Sequence, residues 1–402
     1  MISTTEATEA ITAAMPRFPA EPVALSRCCG RVLRQAVEAE RDQPPFDRVT
    51  MDGIAIQYDE FAAGRRQFTI QGTQHAGDAA QTLHATDNCI EIMTGGVLPV
   101  QSDCVVPVER LDVRDGIATI EDDYAAERRQ FVHEQGSDYR AGDAVLQSGD
   151  TISPLDVAVI ASCGLTEVLV SRQPTIRVVS TGDELVPAGK PIAAHQVRLS
   201  NGPALVAMLR QPGLTDVTDE HIADDRERLR ARLEEILEDS DVLILSGGVS
   251  MGKADFVPQV LKELGVAVAF HKISQRPGLP MWFGIGAKKQ AVFALPGNPV
   301  SSLVCCRQYV LPALMLASGR RPRAQEFAAL SEGVTFKPQL TNFLPVRVAT
   351  DDTGTLIASP APTNTSGDFA ALSGTDGYVE LRLEQDEFPA GSIVPLHRWI
   401  SV

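Results

Sequence analysis

The sequence predicts a multidomain α/β protein. Its centre is a doubly wound, mainly parallel sheet, joined by a β-rich inserted domain, a helical or extended N-terminal domain and a C-terminal β-barrel domain. Three observations carry this. Strand-like and helix-like segments alternate through residues 174–318. Two glycine-rich turns follow apolar runs directly: Ser246-Gly247-Gly248-Val249-Ser250-Met251-Gly252-Lys253-Ala254-Asp255 after Asp241–Leu245, and Pro296-Gly297-Asn298-Pro299-Val300 after Ala291–Leu295. Short β-like runs separated by Gly and Asp turns fill 46–147, and β texture returns after 326.

In chain order, residues 1–45 read as mostly helical and stop at Gln43-Pro44-Pro45. Residues 46–147 form the inserted β-rich domain, so that 1–45 and 148–173 belong to one discontinuous N-terminal domain. The wound domain spans 174–325, with strands expected at 175–180, 242–245, 266–271 and 291–295. A helix over 225–238 places Leu229, Leu233, Ile236 and Leu237 on one face, with Asp224 as its N-cap and Glu227 three residues on. Another helix starts at Asn298-Pro299. Gly319-Arg320-Arg321-Pro322-Arg323 reads as a solvated linker, and 326–402 as a small sandwich or barrel.

Bulk properties narrow the function. The 402 residues carry a net charge of −16, which argues against a nucleic-acid or anionic-membrane binder. An anionic small molecule then needs locally gathered cations. Seven cysteines without a C-x-x-C pair suit a reducing compartment. The first residues lack a basic and then apolar leader, and no apolar run reaches the ~18 residues of a membrane span. A cytoplasmic protein is expected.

A buried strand running into small residues exposes backbone N–H groups at the sheet's carboxyl edge, where open α/β folds bind ligands. Gly247 and Gly248 allow close approach there, and Ser250 adds a hydroxyl. Asp255 would repel an anion unless Mg²⁺, which uses few carboxylates and keeps waters, stands between them; the other reading is an N-cap. Thr181-Gly182-Asp183-Glu184 ends a strand at the same edge, as a metal or donor-edge ligand or as a cap. Lys272 and Arg276 lie four apart after another strand. A helix terminus offers a charged ligand only about 0.3–1 kcal/mol, whereas a charge pair at 4 Å offers about 4 kcal/mol at an effective dielectric near 20. Tight oxyanion binding therefore needs such cations; a pair of surface charges is the plainer reading. The turn ending in Asp52-Gly53 is weak evidence alone, and the seven scattered histidines read as structural. Walker A and G-x-G-x-x-G motifs are absent.

Taken together, Pro44-Pro45-Phe46-Asp47, Met51-Asp52-Gly53, Thr94-Gly95-Gly96, Gly136-Ser137-Asp138, Ser180–Leu185, Ser200-Asn201, Asp224, Ser246–Gly252 with Asp255, and Leu295–Ser301 resemble the molybdopterin molybdenumtransferase family, to which the C-terminal part of gephyrin is related. The resemblance covers nearly the whole chain. It implies insertion of molybdenum from molybdate into adenylylated molybdopterin, with AMP release and Mg²⁺, by a homodimer whose cleft lies between the wound domain of one subunit and the insertion of the other. Asp52, Thr94 and Asp138 would face the cleft from the insertion. Thr181, Glu184, Asp224, Gly247, Gly248, Ser250, Asp255, Lys272, Arg276, Pro296, Gly297, Asn298 and Ser366 would face it from elsewhere. Asp52, Asp255, Lys272 and Arg276 would be catalytic, and Asp52, Glu184, Asp224 and Asp255 would hold the metal. Leu279 stands where the family usually has Lys. A non-catalytic scaffold or cofactor carrier, or a tungstate-preferring relative, are the alternatives.

Overall fold

A computed structural model describes residues 1–249, 256–365 and 367–399. The chain divides into two compact units, one of residues 1–35, 148–153 and 167–402, the other of 36–147 and 154–166.

The first unit is built on a six-stranded sheet. Its strands are β1 (Ile176–Thr181), β2 (Val217–Ile222), β3 (Val242–Ser246), β4 (Ala267–His271), β5 (Trp282–Ile285) and β6 (Ala291–Leu295), in the spatial order β2-β1-β3-β6-β5-β4. Strands β2, β1, β3 and β6 pair in parallel, and only β5 runs against the rest. Side-chain alternation assigns the two faces. Val242, Ile244, Ala291, Phe293 and Leu295 bury against the helix Asn201–Arg210 and the helical run from Pro299. Leu243, Leu245, Val292 and Ala294 bury against helices Arg226–Asp239 and Val257–Glu263. Both faces are covered, as a parallel sheet requires.

The helical run Pro299–Ala317 is 19 residues long with a mean hydropathy of 1.4, enough by length and composition to cross a membrane. That corrects the expectation that no stretch reaches this length. Two-thirds of it is buried, with Val304, Cys305 and Leu314 wholly inside the core. The C-terminal strands Glu326–Leu330, Thr341–Thr350, Leu356–Pro360, Gly377–Leu381 and Ile393–Arg398 close into a five-stranded barrel.

Two local expectations change. Residues 1–45 hold one α-helix, Thr4–Ala14, capped by a reciprocal Ser3–Glu6 box, and then short strands Ala20–Ala24 and Val37–Glu38. Prolines 16, 19 and 22 remove the donors a longer helix would need. The cap of helix Arg226–Asp239 is Asp225, not Asp224, because Asp225 takes the extended backbone and accepts from the Arg228 N–H at 3.0 Å.

The second unit centres on a mixed six-stranded sheet in which Gly53–Ile56 lies between Cys104–Pro107 and Asn88–Ile92. Its core gathers Ile54, Ile56, Phe68, Cys89 and Val106.

Candidate functional site

At the carboxyl edge of the wound sheet, Ser180, Ser246 and Leu295 stand side by side in register. The chain continues from them into Thr181, Gly247 and Pro296, so three of the sequence-predicted turns issue from one row. Gly247 (φ 101°) and Gly248 (φ 66°) occupy the left-handed region. A Cβ on Gly247 would lie 2.7 Å from the Thr181 carbonyl oxygen, and one on Gly248 3.0 Å from Thr181 Oγ1. Only glycine lets this loop settle onto the end of β1. The second loop closes in as well: a Cβ on Gly297 would be 3.5 Å from Gly247 Cα.

Asn201 ties the two loops. Its Nδ2 donates to Ser246 Oγ and to the Gly297 carbonyl, both at 2.8 Å. Among the described residues its Oδ1 is buried without a hydrogen-bond partner, and so are Ser180 Oγ and Thr181 Oγ1. Native interiors rarely leave such atoms unpaired, so these three oxygens are acceptors that a polar ligand could pair. Asn298 takes the N-cap position of the helix Pro299–Cys305 without a capping bond from its side chain.

The acidic residues sit beside this row. Asp183 accepts from the Asp224 N–H at 3.0 Å, which joins the Thr181–Glu184 turn to the loop after β2. His221 bonds the Gly182 carbonyl oxygen at 2.8 Å. Glu184 is exposed. Among the described residues no three of His, Cys, Asp and Glu cluster to hold a metal. Glu184 and Asp224, on two tied loops, still fit Mg²⁺, which takes one or two carboxylates and fills its shell with water and phosphate oxygens.

Lys272 follows β4 directly with φ 73°, a conformation rare for a side chain of its size. Its N–H donates to the Met281 carbonyl at 2.9 Å. Arg276 is exposed on the two-residue strand Gln275–Arg276, which pairs with Thr341–Asn342 of the barrel. Ser250, Asp255 and Ser366 lie outside the described residues.

In the second unit, Asp52 Oδ1 accepts from both the N–H and the hydroxyl of Thr94, each at 2.6 Å. Those bonds hold the Asp52 carboxyl below its ordinary range. Asp138 Oδ1 contacts His133 Nε2 at 3.0 Å, and His133 Nδ1 contacts Arg48 at 3.1 Å. Backbone bonds join the three segments: Gly95 N–H to Val49 O, and Thr50 N–H to Phe131 O. Asp52, Thr94 and Asp138 therefore share one edge of this unit.

Known proteins match along the whole length. Family models match in three stretches: "MoeA N-terminal region (domain I and II)" over residues 2–164, "Probable molybdopterin binding domain" over 177–316, and "MoeA C-terminal region (domain IV)" over 328–399. A molybdopterin molybdenumtransferase of Synechocystis sp. is 39% identical over 400 residues, covering 99% of this chain and 100% of that protein. The chain belongs to the molybdopterin molybdenumtransferase family. The Staphylococcus aureus member is 28% identical over 397 residues, covering 97% and 94% of the two chains. A solved molybdopterin biosynthesis MoeA protein from Pyrococcus horikoshii superposes with a TM-score of 0.85 at 28% identity and complete coverage of both chains.

Within this molybdenumtransferase framework the structure adds residues that sequence reasoning passed over. Asn201 was one motif letter among many; here it bridges two loops. His271, one of the histidines expected to be structural, has its Nε2 buried and, among the described residues, unpartnered at the end of β4, and the ring faces the Val249 backbone. Burial pushes its pKa down. Arg48 and His133 were not singled out as supports of Asp138. Only His271, the last residue of an apolar strand at the carboxyl edge of the sheet, carried a sequence signal that could have found it.

Proposed function

We propose that this chain inserts molybdenum from molybdate into adenylylated molybdopterin, with release of AMP and dependence on Mg²⁺, as a cytoplasmic homodimer. The observation that carries this reading is the row of buried, unpartnered oxygens on Ser180, Thr181 and Asn201 beside a loop where no Cβ fits, in a chain of this family. Pterin N–H groups suit such acceptors, and the backbone of Gly247, Gly248 and Gly297 can lie close to phosphate or pterin edges. Thr181, Pro296 and Asn298 line the same row, with Ser250 and Ser366 assigned to substrate by the resemblance.

Lys272 and Arg276 hold oxyanions: molybdate and the phosphates near the dithiolene sulfurs. Glu184, Asp224 and Asp255 are carboxylates that would hold Mg²⁺, and the resemblance assigns Asp52 of the inserted domain to the metal as well. Bound there, the ion would supply charge neutralisation at the phosphoanhydride. The resemblance assigns Thr94 and Asp138, of the inserted domain, to substrate. The protein supplies position and field rather than a nucleophile.

The test is AMP release from adenylylated molybdopterin, with molybdate and Mg²⁺, by folded protein whose mass in light scattering is twice 43.2 kDa. Lys272→Ala is expected to lower the rate at least 10-fold. No AMP above background from the parent would overturn the proposal. Leu279, in place of the family's usual Lys, favours one second reading, a cofactor carrier. Tight molybdopterin binding without AMP release would establish it, and competition with tungstate reads the oxyanion preference.

A further inference from the structure

Away from the carboxyl edge, the first unit contains a cavity of about 1070 Å³, lined by the helical run from Pro299, the connector after Gly319 and the barrel strand Ile393–Arg398. An adjoining cavity of about 350 Å³ shares Arg307, Arg320 and Trp399 with it. None of the site residues above lines either space. In a chain of net charge −16, the larger cavity gathers five arginines (Arg307, Arg320, Arg321, Arg323 and Arg398) against two carboxylates, Glu326 and Asp376.

Some of these cations are already paired. Arg398 holds Glu326 at 2.8 Å and Arg321 holds Asp150 at 3.2 Å. Arg320 differs. It is half-buried, and among the described residues its guanidinium meets no carboxylate; its side-chain contact is Met315 Sδ at 3.6 Å, a weak acceptor. Burial and the like charge of Arg323 both disfavour its cationic form, yet a guanidinium does not deprotonate in a protein. A partly desolvated cation without a counter-charge favours an anionic ligand.

Two independent features point the same way. Thr151 Oγ1, lining the adjoining cavity, is buried and has no hydrogen-bond partner among the described residues. The wall carrying Arg307, Gln308 and Tyr309 is a π-helical turn, Cys306–Val310, inside an otherwise α-helical run. Such turns are rare and concentrate at functional positions.

We propose that this arginine-lined cavity is a binding site for a nucleoside polyphosphate, distinct from the carboxyl-edge site. The volume is at the top of the range of about 300–1,000 Å³ for organic ligands and far exceeds a bare oxyanion. Guanidinium forks bind phosphates bidentately. Ile11, Leu316 and Trp399 give an apolar and aromatic surface for a base. The Trp399 indole is fixed by its Nε1–H bond to Thr375 Oγ1 at 2.8 Å.

The experiment titrates the full-length protein with ATP, followed by calorimetry and by the fluorescence of Trp399. ATP is expected to bind, at least 10-fold more weakly to Arg320→Ala, with AMP release from adenylylated molybdopterin unchanged in that variant. Lys272→Ala should bind ATP as the parent does, which separates this site from the proposed active edge. Should Arg320→Ala misfold by circular dichroism, Arg323→Glu reads the same loss. No ATP binding, equal binding by Arg320→Ala and Arg323→Glu, or loss of binding in Lys272→Ala would overturn the proposal. Inorganic tripolyphosphate binding as tightly as ATP would overturn its nucleoside part.

Discussion

The two units handle polar groups in opposite ways. At the edge of the wound sheet, Ser180, Thr181 and Asn201 carry oxygens that are buried and, among the described residues, unpaired. In the β-rich unit, Asp52 and Asp138 are exposed and already bonded, one to Thr94 and the other to His133. The first arrangement carries an unmet demand and a rigid backbone. The second keeps full charges aimed and satisfied at little cost, because water screens them. The wound edge should therefore be sensitive to shape, and the Asp52 edge to charge.

Gly247→Ala tests the sensitivity to shape most severely. The left-handed backbone alone costs a non-glycine residue about 1–3 kcal/mol. The new Cβ must also displace the Thr181 carbonyl, which it would meet at 2.7 Å. The expected result is a clearly lower thermal midpoint and at least 100-fold lower AMP release. A variant with parent stability and activity would show that the loop is not held as described.

Asn201→Ala should do less to stability and much to function. It removes two hydrogen bonds, each worth a net of about 0.5–1.5 kcal/mol. A shift of 1 Å between the loops is enough for a loss of about 10²-fold in rate. Asn201→Asp keeps the size but removes the donors, and would leave a carboxylate against Ser246 and Gly297. It should be as inactive as the alanine variant. If either substitution raises KM alone, Asn201 binds substrate without setting the geometry of the two loops.

What could be read from the chain follows from which forces are local. Strands β1, β3 and β6 announce themselves as apolar runs, because the sheet buries both faces there; β4 reads as apolar too, although it lies at a sheet edge with Ala267, Val268 and Ala269 exposed. Strand β2 does not: Val217-Thr218-Asp219-Glu220-His221-Ile222 lies at the sheet edge and keeps exposed polar residues. Strand β5 is four residues long and antiparallel, too short for a periodicity to show. Gly247 and Gly248 were legible because positive φ strongly favours glycine. Asn201, His271 and the Arg48–His133 support of Asp138 were not, since their roles exist only once distant segments meet. The Asp224 cap failed by one residue because two adjacent aspartates present the same local chemistry, and the backbone chose Asp225.

Thr94→Val gives the mildest expected effect and addresses charge directly. Thr94 holds Asp52 in its ionised form, first through its hydroxyl and then through its N–H, so the folded carboxyl titrates below the ordinary 3.8. A depressed carboxylate pKa stabilises the fold above the unfolded value, and that contribution disappears as pH falls through the folded value. The window therefore lies at and below about pH 3.8, and stability near neutrality should not change with pH on this account. Valine removes the hydroxyl and leaves the backbone bond, so the Asp52 pKa read by carboxyl carbon chemical shift should move part of the way back towards 3.8. No movement would mean that the backbone N–H alone holds the charge, and the contrast between a shape-governed and a charge-governed edge would then narrow to one of backbone geometry in both units.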